Sequence, residues 1–458
     1  MRQKLQLNVE RRRLLLFLFT VFSVYLFWSI LLPVNAAPDE PMRFQIPYFI
    51  YQNGRLPVGY EPQILDPNWG FSYAFLPYLS GILSAVFIKI VSFFTTELAA
   101  LYIAARFTSV LCSTVTAYFC YKLSKEWFPG PERWMFMGLV LFLPQFAFCS
   151  SYYNNESISV MSIAMILYCW VSGTKENWPI KRCALFAVAL SICFLSYYNA
   201  YGFILCSAIL FILCVAFQGD RKIHWKPLFG KGFFIVGIVA VLAGWWFVRN
   251  YLLYDGDFLG RSALNLCGEQ HAIDALKPSM RQSLRDQGYS LPDMLKNTSW
   301  IEYSFKSFIA YFGWMDVWVT DWLYRAFLFL FGLAGAGLLL RCKNAVRRLK
   351  AAFASRPLQT RRQIFLHGAM LLAMGITLFL SMYYSYTSDY QPQGRYLMPL
   401  LIPLMYYVTV GLRSAFSFAA RVLKRPKLEQ TLSGAVFACM ALALAFSIGT
   451  AVIPAYFS

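Results

Sequence analysis

Long apolar segments recur from one end of this sequence to the other, and they constrain its fold more than any other feature. A transmembrane helix needs about 20 consecutive apolar residues. Segments that reach or approach this length lie at 14–34, 71–94, 102–120, 134–150, 157–173, 183–197, 201–217, 231–248, 322–340, 364–384, 397–412 and 432–453. Only 14% of the residues are charged, against about 25% in soluble domains. The chain is therefore predicted to be an all-α polytopic membrane protein.

The basic residues explain the net charge and set the predicted topology. A formal charge of +19 would suggest nucleic-acid binding in a soluble protein. Here Lys and Arg cluster between apolar segments, as they do in cytoplasmic loops, so no nucleic-acid partner is expected. If every apolar segment crossed the membrane, the basic loop 122–133 would be external, which contradicts the positive-inside rule.

Segment 71–94 resolves this conflict if it lies in the plane of the membrane. It contains Pro77 and Gly81. If this segment does not cross the membrane, all later basic loops become cytoplasmic. We therefore predict about 11 transmembrane helices plus one in-plane juxtamembrane helix in a cell-membrane protein with a cytoplasmic N-terminus. The predicted parts are a cytoplasmic tail with the first span (1–34), a first external loop with juxtamembrane helices (35–101), a transmembrane module (102–248), an external loop (249–321) and a C-terminal transmembrane module (322–458).

The loops predicted to be external carry ionisable and amide side chains close to the ends of spans. Ionisable groups at such positions are functional candidates, and we expect them to converge on one pocket at the external membrane boundary. The candidates are Asp39, Glu40, Arg43, Asn154, Asn155, Glu156, Arg249, Asp255, Gln393, Arg395 and Tyr396.

Asp39 and Glu40 directly follow the first span and are bracketed by Pro38 and Pro41. Proline fixes its own φ and restricts the residue before it, so the turn is expected to be stiff. A rigidly held carboxylate beside the membrane can serve as a general base. The alternative is that Asp39 caps the following helix, because Asp often accepts backbone N–H bonds at a helix start.

The arginines at the external ends of spans are candidates for phosphate binding. A guanidinium group binds a phosphate through two hydrogen bonds, which suits Arg249 and Arg395. Arg395 also opens a predicted span, where the positive end of a helix attracts anions. The alternative for each is an arginine that anchors a helix end at the membrane interface.

The turn that contains Asn154, Asn155 and Glu156 lies between two predicted spans. Asn is common in turns because its side chain bonds the local backbone, so Glu156 is the better candidate for a site residue. A carboxylate pair with an amide can bind a divalent ion, but no spacing here requires one. No metal ion and no cofactor are predicted.

Five short motifs occur in order between residues 38 and 399. They are "PDEP", "NNES", "RNYLLYDGD", "YFGWMD" and "QGRYLMP". In these motifs the chain resembles the GT-C superfamily of integral-membrane glycosyltransferases, which includes the aminoarabinose transferase and the protein O-mannosyltransferases. The similarity is greatest to a bacterial branch of predicted membrane proteins. That branch often carries a histidine a few residues after its "DEP" motif, where this chain has Arg43.

The resemblance implies a specific reaction. The donor would be a sugar on a polyprenyl phosphate, and the acceptor would be an envelope glycan, lipid or protein on the external face. Asp39 would act as general base for an inverting transfer, and Glu40 and Glu156 would orient the acceptor or tune Asp39. The resemblance also makes Arg249, Arg395 and Arg43 the candidates that bind the donor phosphate.

Two other functions fit a polytopic membrane protein. A transporter or flippase of lipid-linked glycans usually has charges near the bilayer midplane and paired halves, whereas here the charges cluster at one face and no repeat is evident. A scaffold of an envelope-polymer complex would tolerate single changes of the external charged residues. Movement of a labelled lipid without covalent transfer would indicate transport.

Overall fold

The computed structural model describes residues 2–218, 222–355 and 358–457, and its regular secondary structure is almost entirely helical. The first half contains α1 (Arg2–Leu31), α2 (Glu40–Asn53), α3 (Leu79–Val91), α4 (Leu98–Trp127), α5 (Glu132–Leu141), α6 (Pro144–Cys149), α7 (Glu156–Glu176), α8 (Ile180–Phe194) and α9 (Tyr201–Ala216). The second half contains α10 (Trp225–Val239), α11 (Trp245–Leu253), α12 (Arg261–His271), α13 (Leu291–Asn297), α14 (Trp300–Ile309), α15 (Asp321–Ser355), α16 (Leu358–Thr387), α17 (Leu401–Val422), α18 (Leu428–Ser447) and α19 (Ile453–Phe457).

Short elements connect several of these helices. Two strands, β1 (Tyr311–Phe312) and β2 (Val317–Trp318), form an antiparallel hairpin in which Tyr311 pairs with Trp318. Segments of 3₁₀ helix precede α3, α9, α13 and α17, and π-helical turns join α10 to α11 and α18 to α19. The 3₁₀ segments before α3, α9 and α17 contribute Tyr73, Tyr198 and Tyr396 to the cavity described below.

The prediction of a polytopic membrane protein is confirmed. Within 2–218, 222–355 and 358–457, nine helical segments are long and apolar enough to cross a membrane. Two further predicted spans are shorter. The apolar segment 134–150 is divided between α5 and α6, and segment 183–197 corresponds to α8, which has 15 residues.

The predicted in-plane segment 71–94 contains only a short helix. Its helical part, α3, has 13 residues, which is too short to cross a hydrocarbon core of about 30 Å. α2 precedes α3 and packs against it. α2 contains Pro47 and remains helical at this residue. The two helices therefore form a packed pair after α1.

Helix α7 lies at the centre of the bundle. Its apolar window is completely buried, and it packs against α4 and α8. Glu156 is the first residue of α7. The N-terminal end of α7 therefore places the Glu156 carboxylate near the turn that contains Asp39.

Candidate active site

One cavity of about 480 Å³ lies where the loops predicted to be external meet. Its volume falls within the range of small-molecule sites, about 300–1,000 Å³. The lining comes from the start of α2, the segment before α3, the connection between α8 and α9, the loop 249–321 and the end of α16. The charged residues that line it are Asp39, Arg43, Arg261, Arg281, Asp286 and Asp389.

Asp39 is the centre of the charged cluster. Its Oδ2 atom accepts a hydrogen bond from Nη2 of Arg395 at 2.8 Å, and Nη2 of Arg43 lies 3.8 Å away. Asp39 occupies the N-cap position of α2, yet its side chain makes no capping hydrogen bond. Its φ of 60° belongs to the left-handed region, which is unfavourable for a residue other than glycine. The local geometry therefore directs the carboxylate to the two arginines and into the cavity.

These arginines determine the protonation state of Asp39. Burial by itself would raise the pKa of the Asp39 carboxyl group. The positive charges of Arg395 and Arg43 have the opposite effect and, together with Tyr73, bring this pKa below its ordinary value. Asp39 is thus ionised at neutral pH.

Glu40 points away from the cavity and is fully buried. Arg106, in the third turn of α4, donates from Nε and Nη2 to its two carboxylate oxygens. The remaining Arg106 donors bond the carbonyl oxygens of Ser29, Leu32 and Pro33. The backbone N–H of Tyr153 also donates to Glu40. Glu40 therefore joins the end of α1, the start of α2 and the turn before α7.

The same turn is held from its other side by two aromatic residues. Nε1 of Trp314 donates to the carbonyl oxygen of Asn35 at 2.8 Å, and the Tyr456 hydroxyl donates to that of Ala36 at 3.2 Å. Trp314 belongs to the "YFGWMD" motif and lies in the loop of the β-hairpin. This motif therefore supports the turn that ends at Asp39.

The residues of the "NNES" turn differ in their surroundings. The amide of Asn154 bonds the carbonyl oxygens of Cys149 and Tyr152, as expected for a structural turn residue. Asn155 lines the cavity and accepts a hydrogen bond from Ser80. Glu156 is 2% exposed, and neither carboxylate oxygen has a hydrogen-bond partner. It interacts electrostatically with Arg43 and with Arg395.

Arg395 bonds Asp39, and the next residue, Tyr396, lines the cavity. Arg395 is 5% exposed and also donates to the Tyr396 hydroxyl, which in turn donates to Gln391. A Cβ atom at Gly394 would overlap the backbone nitrogen of Phe308. The "QGRY" motif thus needs glycine for close packing against α14, and this packing fixes the position of Arg395.

Three further candidates from the sequence lie outside the cavity lining, as Glu40, Asn154, Glu156 and Arg395 also do. Arg249 donates to the carbonyl oxygen of Pro57 at 2.6 Å and lies over the Trp246 ring. Asp255 is exposed in the turn after α11, and Gln393 is part of the loop before Arg395. The structure therefore brings together Asp39, Arg43, Asn155, Arg395 and Tyr396 and leaves these three outside.

Sequence reasoning did not single out Arg261 and Arg281 as site residues. Both line the cavity, and in the described parts of the chain no carboxylate lies within 4.0 Å of either guanidinium group. Nor did it single out Arg106. An ionisable residue inside an apolar segment is a strong signal, and Arg106 lies inside segment 102–120.

Within residues 2–218, 222–355 and 358–457, no group of three or more His, Cys, Asp or Glu residues could hold a metal ion.

The fold is similar to that of membrane glycosyltransferases of known structure. The archaeal oligosaccharyltransferase AglB from Archaeoglobus fulgidus, solved in complex with an inhibitory peptide and a dolichol-phosphate, matches with a TM-score of 0.52 and 15% identity. The match covers 94% of this chain and 55% of AglB, so the chain spans about half the length of that enzyme. The apo form of the same oligosaccharyltransferase matches with a TM-score of 0.50 at 13% identity, over 94% of this chain and 55% of the enzyme.

A third solved structure, ArnT from Cupriavidus metallidurans in the apo state, matches with a TM-score of 0.47 and 13% identity. That match covers 95% of this chain and 76% of ArnT. No family model and no curated protein sequence matches the chain. The AglB matches show that the chain shares the fold of that oligosaccharyltransferase, in agreement with the fold that the sequence motifs predicted.

Proposed function

We propose that this protein is a GT-C glycosyltransferase that moves a sugar from a polyprenyl-phosphate donor to an acceptor hydroxyl in the cell envelope. The observation that carries the proposal is the position of Asp39. An ionised carboxylate, held by two buried arginines, faces a cavity large enough for a sugar. The active site would open on the external face of the cell membrane. The basic loops are expected to be cytoplasmic, so the loops that form the cavity would be external.

Asp39 supplies the general base. The acceptor hydroxyl group transfers its proton to the Asp39 carboxylate while its oxygen forms a bond to the anomeric carbon. The bond between that carbon and the phosphate oxygen breaks, and the electron pair leaves with the lipid phosphate. The configuration at the anomeric carbon is inverted. The products are a glycosylated acceptor, a polyprenyl phosphate and a protonated Asp39, which releases its proton to solvent.

The surrounding residues account for the role of Asp39. General-base catalysis requires a group that is ionised before the reaction, and the low pKa of Asp39 ensures this. Arg43 and Arg395 are fixed to Asp39 and orient its carboxylate, and Arg43 also lines the cavity beside the bound substrates. The phenol rings of Tyr73 and Tyr197 form part of the cavity wall and present the kind of surface on which a sugar ring packs.

The substrate-binding role proposed for Glu156 rests on its unpartnered oxygen atoms. A buried carboxylate without hydrogen bonds is costly, and hydroxyl groups of a bound sugar or acceptor would satisfy it. Asn155, which is adjacent and lines the cavity, would contribute an amide to the same substrate. Glu40, by contrast, supports the turn from behind rather than contacting substrate.

The test is a comparison of Asp39→Asn with the wild-type protein. Both would be purified, reconstituted in nanodiscs and supplied with polyprenyl-phosphate sugars, with envelope extract as acceptor. Asp39→Asn should retain its fold and lose at least about a hundredfold of the transfer rate, the usual contribution of general-base catalysis. Asp286→Asn is the matched control, because Asp286 lines the cavity but bonds Ser283 rather than an arginine. Full transfer by Asp39→Asn would refute the proposal.

Transport is the second function, and it requires a separate measurement in vesicles, because a nanodisc encloses no compartment. Labelled donor that crosses the membrane of vesicles containing the protein, without covalent transfer to an acceptor, would indicate a flippase. The charged residues cluster at one end of the bundle, whereas transporters place them near the midplane, and this arrangement favours the transferase.

A further inference from the structure

A second, smaller cavity lies between α2, α3 and the start of α4, away from the candidate active site. Its volume of about 380 Å³ is also within the range of small-molecule sites. Tyr51 of this cavity lies roughly 18 Å from Asp39 along the axis of α2, at about 1.5 Å per residue. The described linings of the two cavities share no residue. The smaller one is lined by Tyr48, Tyr51, Gln52, Lys89, Thr96 and Leu101.

The polar side chains of this smaller cavity are available to a ligand. Among the described residues, the hydroxyl groups of Tyr48 and Tyr51 and the side-chain amide of Gln52 have no hydrogen-bond partner. The Lys89 ammonium group lies 5.6 Å from the centroid of the Tyr51 ring and 5.7 Å from that of the Phe93 ring. These ring contacts hold the ammonium group at the cavity and leave its three hydrogen-bond donors unused.

The charge of the smaller cavity is positive. Lys89 is the only Lys, Arg, Asp or Glu residue of its described lining. Glu97 is the N-cap residue of α4, is exposed and does not line the cavity. In the described ranges no carboxylate oxygen lies within 4.0 Å of the Lys89 ammonium group. An ammonium group with phenol and amide donors suits a phosphate group, and the lining offers no carboxylate to the cationic end of a zwitterionic head group.

An exposed apolar stripe on α3 lies beside this cavity. Leu83, Val86, Ile90 and Phe93 are spaced three or four residues apart and therefore share one face of the helix. Phe93 is 74% exposed, and Phe94, which follows it, is 86% exposed. The rest of α3 packs against α2 and α4. In a membrane protein such a stripe contacts acyl chains, so the polar cavity adjoins a surface that is suited to lipid.

We infer that the smaller cavity binds the head group of an anionic phospholipid of the surrounding bilayer. The phosphate lies beside Lys89, and the acyl chains lie along the stripe on α3. Lysine near a membrane surface attracts anionic lipids, and the hydroxyl groups of a glycerol head group match the free donors and acceptors of Tyr48, Tyr51 and Gln52. A soluble phosphate compound would match the cavity but would leave the stripe uncovered. This assignment does not depend on the proposed transfer reaction.

Native mass spectrometry tests the site. The full-length protein in detergent micelles would be titrated with short-chain phosphatidylglycerol, short-chain phosphatidylcholine or glycerol 3-phosphate, and the dissociation constant of the first bound molecule measured. Phosphatidylglycerol should bind the wild type more tightly than either of the other compounds. Lys89→Gln should weaken this binding about tenfold, the usual effect of one charge-assisted hydrogen bond. Tyr51→Phe, which removes only a hydroxyl group, should weaken it about threefold.

Lys296→Gln is the matched control. Lys296 has the same charge, is exposed on α13 in the predicted external loop and lines neither of the two cavities, so its replacement should leave the affinity unchanged. Thermal unfolding of each variant shows whether the fold is intact. Wild-type affinity in both Lys89→Gln and Tyr51→Phe would overturn the assignment, as would an equal loss in Lys296→Gln.

The three ligands separate the possible occupants of the cavity. Equal binding of phosphatidylcholine and phosphatidylglycerol by the wild type would contradict a preference for an anionic head group. Glycerol 3-phosphate binding as tight as that of phosphatidylglycerol would show that the cavity takes a soluble phosphate compound, and it would overturn the assignment to a bilayer lipid. Selective binding of phosphatidylglycerol that is lost in Lys89→Gln would support it.

Discussion

Arg106 and Glu40 form a completely buried ion pair, with Nε–Oε1 and Nη2–Oε2 distances of 2.8 and 2.6 Å. Neither side chain lines the cavity. Through this pair the third turn of α4 fixes the first residue of α2, and the residue before it is Asp39. The position of the proposed base therefore depends on two residues that would never contact a substrate.

Replacement of Arg106 by Gln should strongly destabilise the protein. Removal of one partner from a buried ion pair leaves the other charge uncompensated and costs about 3–5 kcal/mol. The variant should show a clearly lower midpoint of thermal unfolding in nanodiscs, measured by tryptophan fluorescence. The control is Arg55→Gln, which removes an exposed ion pair with Glu61 and should leave the midpoint unchanged. Equal midpoints for the two variants would contradict the structural role of Arg106.

Replacement of Arg395 by Gln should move the acid limb of the pH–rate profile to higher pH. Burial raises the pKa of Asp39, and the charges of Arg395 and Arg43 lower it below its ordinary value. Without Arg395 the pKa of Asp39 rises, so the base is protonated, and transfer lost, at a higher pH than in the wild type. Initial rates of transfer across the pH range would measure the shift. An unchanged acid limb would show that Arg395 does not set the charge of Asp39.

The same ion pair links protonation to stability. Because the pKa of Asp39 is lower in the folded protein, its contribution to stability is fully present above the unfolded value of about 3.9. It is lost as the pH falls through the folded pKa. Arg421→Gln is a suitable control for both measurements, since Arg421 is exposed and bonds only the backbone of its own helix within the described residues.

Replacement of Gly394 by Ala should disrupt the site through packing alone. The added Cβ atom would overlap the backbone of Phe308, so α14 and the segment that carries Arg395 would have to separate. Steric changes of this kind cost about 1–3 kcal/mol, and transfer should fall with stability. Gly434→Ala is the matched control. No atom lies within 4 Å of its added Cβ, and alanine in the interior of α18 should stabilise by about 0.5–1 kcal/mol. The midpoints of thermal unfolding of both variants test the contrast.

Replacement of Arg249 by Gln should change stability but not the affinity for farnesyl phosphate. Arg249 bonds the carbonyl oxygen of Pro57 and lies outside the cavity lining. Loss of this charged hydrogen bond should cost about 1.5–3 kcal/mol, visible as a lower unfolding midpoint. A drop in affinity of tenfold or more would instead support the role in phosphate binding that the sequence suggested for Arg249.

Much of the fold follows from local sequence properties. The length of the apolar segments predicts the helices, and the placement of basic loops identifies segment 71–94 as the one that does not cross, in agreement with the short helix α3. The prolines beside Asp39 and Glu40 predicted a stiff turn, and in the structure Asp39 has a φ of 60° directly before α2. The predictions of the helices succeed because they depend on neighbours in the chain.

The composition of the cavity depends on contacts between distant residues and was harder to predict. Arg249 and Arg395 looked equivalent, since each lies at the end of a span, but only Arg395 reaches Asp39. Arg261 and Arg281 lie in a long loop of mixed charge, and nothing in their local sequence shows which side chains of that loop face the cavity. Arg106 could have been found, because a charge inside an apolar segment requires a partner.

The bond between Arg395 and Asp39 joins residues that are 356 positions apart. At typical synthesis rates of about 5–20 residues per second, roughly 20–70 s separate the emergence of the two from the ribosome. During that interval Asp39 has already entered the membrane boundary without its strongest counter-ion. A nascent chain thus forms this ion pair only after residue 395 has been synthesised, and premature termination before that residue yields a protein without it.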